Sequence, residues 1–445
     1  MSVDDARERF DDLVTWATGT LRGDEVLLAS LRGENSDFVR FNHGAVRQAG
    51  SVQQQSLAID LISGRNHAEG SVTLTGHPAT DQVRVAVLLD DLRAQRAVLP
   101  EDPYLLFATD GSDSERSVLG ELPAAADAVD AVSTGATGND FVGIYAAGST
   151  FEAFGSSMGQ RNWFDATTFN LDWSLHLRGD KATKNAYAGT SWDEQAFRSK
   201  IDWSVRELVA LGRPPKNLPP GGYRSYLAPA AMQEIMGMLS WGGFGLRAHE
   251  TRQTPLLRMV TEGASFAPAV SIVEDIAGGV APDFQRAGFQ RPNAVQLITN
   301  GAFDSHLVSP RSAQEYGVAT NGAEDYEYPL ALAMSPGSLP AAGLLDALDT
   351  GLYIGNLWYL NFSDRTACRT TGMTRFGTFW VEGGEIVAPI EVLRFDDSAF
   401  NLLGDRLEGL TETAETILDS STYEHRSMES LRLPGALVSE MTFTL

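Results

Sequence analysis

The chain has 445 residues, 43% hydrophobic and 21% charged, with 43 glycines and 19 prolines, proportions that exclude a disordered or collagen-like polymer. Its formal charge of −24 repels a phosphate backbone, and no basic run with interleaved aromatics offsets that field, so direct nucleic-acid binding is not expected. The lone cysteine, Cys368, excludes an internal disulfide and a cysteine-rich zinc cluster; with an acidic start and no window of roughly eighteen apolar residues, a cytoplasmic protein without a membrane segment is expected.

Residues 5–22 and 79–96 carry apolar side chains at helical spacing, the second through the pairs Val83/Val87 and Leu88/Leu92. Between them lie short β-like runs, Phe38 to Phe41, Leu57 to Ile62 and Ser71 to Thr75. Three more follow, Val142 to Phe154, Asn162 to Leu177 and Lys184 to Tyr187, with turns at Ser156 to Gly159 and Arg178-Gly179-Asp180, and predict an antiparallel meander. Ser191-Trp192-Asp193-Glu194 matches a capping box and predicts a helix running to about Leu211.

Arg213 to Gly222 reads RPPKNLPPGG, which can propagate neither a helix nor a central strand. It divides the chain into an N-terminal mixed domain (1–212), a linker (213–222) and a C-terminal domain (223–445). Past the linker a helix is expected from Pro229 to Leu239, then mostly antiparallel sheet, including Thr378 to Val381 and Glu385 to Val392. The predicted class is α+β.

The chemistry is sparse. The seven histidines, His43, His67, His77, His176, His249, His306 and His425, never share a helix turn. His249-Glu250 opens like a zinc motif, but Gln253 stands where the second imidazole belongs, and a solvated loop is expected instead. His43, His176 and His306 read as surface or hydrogen-bonded structural histidines. Cys368 has Arg365 and Arg369 near it but no histidine, and reads as structural. Gly155 to Gly159 matches G-x-S-x-G with Ser157 central, yet a strand follows it where a nucleophile elbow needs a helix, so a hairpin turn is expected. No phosphate-binding glycine loop appears, and no self-contained catalytic constellation emerges.

The run Thr371 to Ile386, TGMTRFGTFWVEGGEI, followed by Pro389 and by Arg394-Phe395-Asp396-Asp397, resembles the C-terminal signature of the TldD/PmbA family. Further matches fall in family order: Val39 to Val46, Pro220 to Tyr223, Ser309 to Ala313, Asn321-Gly322 and Pro336-Gly337. The resemblance implies an N-terminal α/β domain followed by a C-terminal domain of long, curved, barrel-like antiparallel sheet. It also implies a two-component zinc peptidase. One subunit, TldD-like, carries an H-E-x-x-x-H zinc helix just past the linker; the other, PmbA- or TldE-like, lacks it.

In this chain the corresponding helix places Gln233 and Met238 at the imidazole positions and keeps Glu234, and an amide and a thioether are poor zinc ligands. The family's ligating cysteine near the C-terminus is also missing, since Cys368 lies upstream of the signature. Asn356 to Tyr359 and Leu433-Pro434 look PmbA-like. What the resemblance implies is a non-catalytic subunit with no cofactor of its own, zinc in a TldD-like partner, and small unfolded peptides or peptide precursors as substrate. Gly372, Met373, Thr374, Arg375 and Thr378 are the candidate substrate-lining residues, with an ordinary core strand as the alternative. A homodimer is a further expectation for the chain alone. A stand-alone regulator of the gyrase-modulator type, or a hydrolase with a site assembled from scattered residues, are the competing readings.

Overall fold

The computed structural model describes residues 2–179 and 181–444. In the N-terminal domain α1 (Val3–Thr18) precedes a meander of β1 (Val26–Asn42), β2 (Ala45–Ser63) and β3 (Asn66–Thr73), then α2 (Pro78–Arg96) and β4 (Ser114–Val118). The short α3 (Ala125–Gly135) leads to a second meander, β5 (Asp140–Ser156), β6 (Arg161–Arg178) and β7 (Lys181–Gly189), and α4 (Glu194–Leu211) closes the domain. The sheet runs β3-β2-β1-β5-β6-β4, with β7 on the far half of β6, and among the described residues only β4 pairs in parallel.

Several strands far outrun the sequence expectation. β1 and β2 pair from Val26↔Ile62 to Asn42↔Ala45, although β1 carries Arg32, Glu34, Asn35, Ser36 and Asp37 in its middle. Polar residues end a strand pattern read from hydropathy alone; here they continue it because one face of the sheet lines a cleft. The predicted meander over β5 to β7 is present, with Ser157 in the β5–β6 turn; Asp180, in the β6–β7 turn, lies outside the described residues.

Odd-numbered residues of β1, β5 and β6 point to the helices. Leu27, Ala29, Leu31, Phe151 and Trp163 pack with Phe10 and Val14 of α1 and Val85 and Leu89 of α2. Phe41, Phe141, Leu171 and Trp173 pack with Val132 of α3 and Phe197 and Ile201 of α4. Four helices therefore cover one face. The helix α4 starts two residues later than the capping-box reading: Ser191 is held extended in a bridge to Glu121, and Asp193 caps instead, accepting from Gln195 N (2.7 Å) and Ala196 N (2.9 Å).

The segment after α4 is pinned rather than free. Lys216 N donates to Pro389 O (2.9 Å), Lys216 Nζ pairs with Glu382 (2.6 Å), and Gly221-Gly222 already belong to β8 (Gly221–Leu227). A helix, α5 (Pro229–Ser240), follows as expected. Short strands β9 (Ile272–Glu274), β10 (Val295–Thr299), β11 (Ala302–Phe303) and β12 (Ala331–Met334) precede the long ones, β13 (Gly351–Asp364), β14 (Arg369–Glu382), β15 (Glu385–Pro389), β16 (Arg394–Ser398), β17 (Leu407–Leu418) and β18 (Ser430–Phe443). The pairing path β8-β13-β14-β16-β18 returns to β8, giving a ring of mostly antiparallel strands. Met232, Ile235, Met236 and Leu239 of α5 enter that ring against Leu352, Ile354, Phe395, Ala436 and Val438. No helix among the described residues is long and apolar enough to cross a membrane.

Candidate functional site

The even-numbered face of the N-terminal sheet is polar and looks toward the C-terminal domain. The domains meet in a small apolar seam of Leu28, Phe154 and Phe164 against Val280, Phe284 and Leu418. Beside that seam open two adjoining cavities of about 1220 and 560 Å³, which share Arg32, Glu152, Arg286, Arg311 and Asp325.

Ion pairs line this cleft and bridge the domains. Arg32 and Glu152 lie 2.8 Å apart across the β1–β5 ladder. Arg286 reaches Glu69 of β3 at 2.9 Å and also binds Asp325, and Arg311 reaches Asp102 at 2.6 Å. The connection between β17 and β18 straps across the same cleft. Its Arg426 is buried and donates to Thr168 O (3.0 Å), Thr168 Oγ1 (2.6 Å) and Gly148 O (3.2 Å); burial pulls the guanidinium down to about 10. The neighbouring His425 donates Nδ1–H to Arg426 O (2.9 Å), which leaves Nε2 to accept from Arg32 (3.1 Å).

Helix α5 reaches the cleft at its C-terminal end, through Ser240 and the following Trp241; along the helix Gln233, Glu234 and Gly237 are partly exposed, while Met238 is buried. A five-residue step turns about 140° around a helix, so positions 233 and 238 point to different sides of this one. Burial pushes the Glu234 carboxyl upward, against the opposing pull of Lys184 on β7. Lys184 also lies 3.5 Å from Asp172, whose carboxyl burial raises likewise. A zinc ion does not fit this setting: among the described residues no three His, Cys, Asp or Glu side chains converge, and the cation nearest in effect to Glu234 is a lysine.

The candidate substrate strand splits by parity. Gly372 is backed by Phe395 and Leu360, and Thr374 Oγ1 accepts from Leu393 N at 3.0 Å, so both serve the ring wall. Thr378 is buried with its hydroxyl unpartnered. Met373 and Arg375 lie on the opposite face, and the Arg375 guanidinium stacks 4.7 Å from the Trp358 ring.

The remaining sequence candidates have structural roles. Ser157 Oγ accepts from Leu27 N (3.1 Å) in a hairpin turn. Cys368 is buried, and burial drives its thiol up to about 12. His43 pairs with exposed Asp140 at 2.7 Å. His249 departs from the expected solvated loop. It sits on a short helical turn, bonds Gly243 O at 2.7 Å, and packs against Phe303 and His306, with burial pulling it down to about 4. His306 correspondingly departs from a surface or hydrogen-bonded role, because its Nε2 is buried without a partner.

Sequence reasoning passed over Glu207. This residue of α4 is buried between the domains, accepts from Asn185 at 3.1 Å, and is pushed by burial up to about 7. Its one legible signal was its place in the i, i+4 series Trp203, Glu207, Leu211, where a charged residue interrupts an apolar face.

Residues 220–445 match the family model described as the PmbA/TldA metallopeptidase C-terminal domain. The chain belongs to the PmbA/TldD family. The PmbA/TldD fold extends over the N-terminal half as well, as solved structures indicate. TldE from Thermococcus kodakarensis superposes with a TM-score of 0.77 at 14% identity, covering 98% of this chain and 100% of that one. A proposed modulator of DNA gyrase from Thermotoga maritima gives 0.75 at 14%, covering 98% and 99%. Another from Bacteroides thetaiotaomicron gives 0.75 at 14%, covering all of both chains. Comparison with curated proteins gave no match. In this PmbA/TldD member, the helix that the resemblance aligns with the zinc motif is α5, and it borders the interdomain cleft.

Proposed function

We propose that this chain is a non-catalytic, TldE-like subunit of a two-component peptidase, which supplies part of the peptide-binding cleft while a TldD-like subunit supplies zinc. One observation carries this reading: α5 reaches a large cleft at Ser240, and the positions that the resemblance aligns with zinc ligands hold a partly exposed Gln233 and a Met238 turned into the core. In such a subunit Glu234 and Lys184 set local charge and do no bond-breaking, and the assembly works on small unfolded peptides or precursors in the cytoplasm.

The test is zinc content and peptide hydrolysis of the chain purified alone, then with a zinc-bearing relative added. The expected result is negligible zinc and no cleavage alone, and cleavage on mixing. About one zinc per chain, or hydrolysis by the isolated chain, would overturn it.

A second reading draws on the net charge of −24 and on the two structural neighbours described as modulators of DNA gyrase, and makes the chain an acidic regulator of a basic DNA-binding enzyme. Capture from the native host separates the two, since this reading requires a topoisomerase and no zinc-bearing relative.

A further inference from the structure

Among the described residues five aromatic side chains are exposed: Trp241, Tyr326, Trp358, Tyr359 and Tyr423. Three of them, Trp241, Tyr326 and Tyr423, line the cleft of about 1220 Å³, although they come from three separate segments of the chain. Trp241 is already engaged, with the Arg365 guanidinium 5.2 Å from its ring and Phe362 at 6.2 Å between centroids. Tyr326 and Tyr423 are not. They are 87% and 84% exposed, and among the described residues neither ring stacks on another and neither hydroxyl has a hydrogen-bond partner.

The backbone that carries each ring is nevertheless fixed. Tyr326 stands in Glu324-Asp325-Tyr326-Glu327, where the other three side chains are anchored. Glu324 pairs with the buried Arg291, and Asp325 with Arg286. Glu327 is buried and accepts from Arg247 N (2.8 Å), Ser309 N (3.0 Å) and Ser309 Oγ (3.1 Å). Its φ of +53° is left-handed, a conformation that a glutamate keeps only where its surroundings impose it. Gly245 leaves the room, since a Cβ there would lie 2.8 Å from the Glu327 Cβ. Tyr423 likewise precedes a left-handed glutamate, Glu424 at φ +66°, in the strap between β17 and β18. Glu424 O accepts from Gln54 Nε2, and the buried Arg426 follows two residues later. Two bare rings on anchored backbone lower the ordering cost that a ligand would otherwise meet.

Charge offers no competing handle where the two cavities join, because Arg32, Arg286 and Arg311 already hold Glu152, Asp325 and Asp102. We propose that the interdomain cleft selects unfolded peptides by their aromatic side chains, which stack on Tyr326 and Tyr423. This rests on the peptide-processing reading above and adds a side-chain preference to it. An aliphatic side chain of similar size buries apolar area against the same residues but gains none of the face and edge attraction between rings.

The experiment is fluorescence anisotropy with the full chain purified alone and labelled peptides of about eight residues, identical except for two central positions that hold Trp, Leu or Ser. The Trp peptide should bind about tenfold tighter than the Leu peptide. Tyr326→Ala should weaken the Trp peptide about fivefold and the Leu peptide less than about twofold, whereas Tyr326→Phe should keep the preference. Tyr423→Ala should act in the same direction, and the double variant should bind Trp and Leu peptides alike. Both tyrosines project into solvent, so the variants should retain the wild-type melting temperature. Equal affinity of the wild type for Trp and Leu peptides, or a preference that survives in the double variant, would overturn this proposal and leave the peptide-processing reading in place. Failure of all three peptides to bind would overturn both.

Discussion

A carboxyl oxygen of Glu207 lies 2.6 Å from where a Cβ on Gly377 would stand, so the acid of α4 occupies the space that the glycine of β14 leaves empty. The second glycine of the neighbouring strand, Gly355, would place its Cβ 3.6 Å from the same oxygen. Two strands thus thin themselves to admit one buried acid at the junction of the domains.

That acid makes stability depend on pH. The folded-state value of about 7 exceeds the ordinary 4.5, so the folded protein holds a proton over that interval which the unfolded chain has lost. Stability from this group is greatest below about pH 4.5, falls as pH rises toward 7, and levels off above, a change of roughly 3 kcal/mol. Urea unfolding of the wild type and Glu207→Gln between pH 5 and 8.5 should show the variant with the flatter dependence and the higher stability at alkaline pH. Parallel curves would refute the assignment.

Gly377→Ala should destabilise the protein by about 2 kcal/mol through overpacking against Glu207. In a Glu207→Ala background the same substitution should cost less than about 1 kcal/mol, since the clashing atoms are gone. A double-mutant cycle from denaturant midpoints measures the difference, and strict additivity would show that the two residues do not share this space.

The strap between β17 and β18 depends on Arg426, whose guanidinium reaches the backbone carbonyls of Thr168 and Gly148 inside the first domain. Arg426→Ala should remove about 3 kcal/mol and expose residues 419–429 to protease at temperatures where the wild type resists. A wild-type melting point together with an unchanged cleavage pattern would mean that the strap is held by other contacts.

Cys368 should be silent to thiol reagents in the folded protein. It is buried, and burial drives its thiol up to about 12, so neither access nor thiolate is available near neutral pH. Labelling by a chromogenic disulfide should track global unfolding in urea. Rapid stoichiometric labelling without denaturant would contradict this.

Much of the local structure was legible because it depends on neighbours in sequence. The helix at 229–240, the β5–β7 meander and the hairpin turn around Ser157 follow from periodicity and turn residues. The Thr371 to Ile386 run carried the family resemblance that residues 220–445 bear out. The absence of imidazoles at positions 233 and 238, which the resemblance aligns with the zinc motif, was equally plain from the residue order.

Tertiary structure decided what faces what. Polar residues in the middle of β1 look like a break in a strand until the second domain arrives to make them a cleft wall. His249 and His306, 57 positions apart in the chain and separate in any sequence reading, become ring neighbours at 4.5 Å. Glu207 reads as a helix charge and proves to be buried, since only packing against β13 and β14 removes its water. Sequence by itself determined the local conformations and the residue types available for chemistry, because those depend on short-range sterics and side-chain identity. Burial and charge pairing came from contacts between residues far apart in the chain, whose energies no local pattern contains.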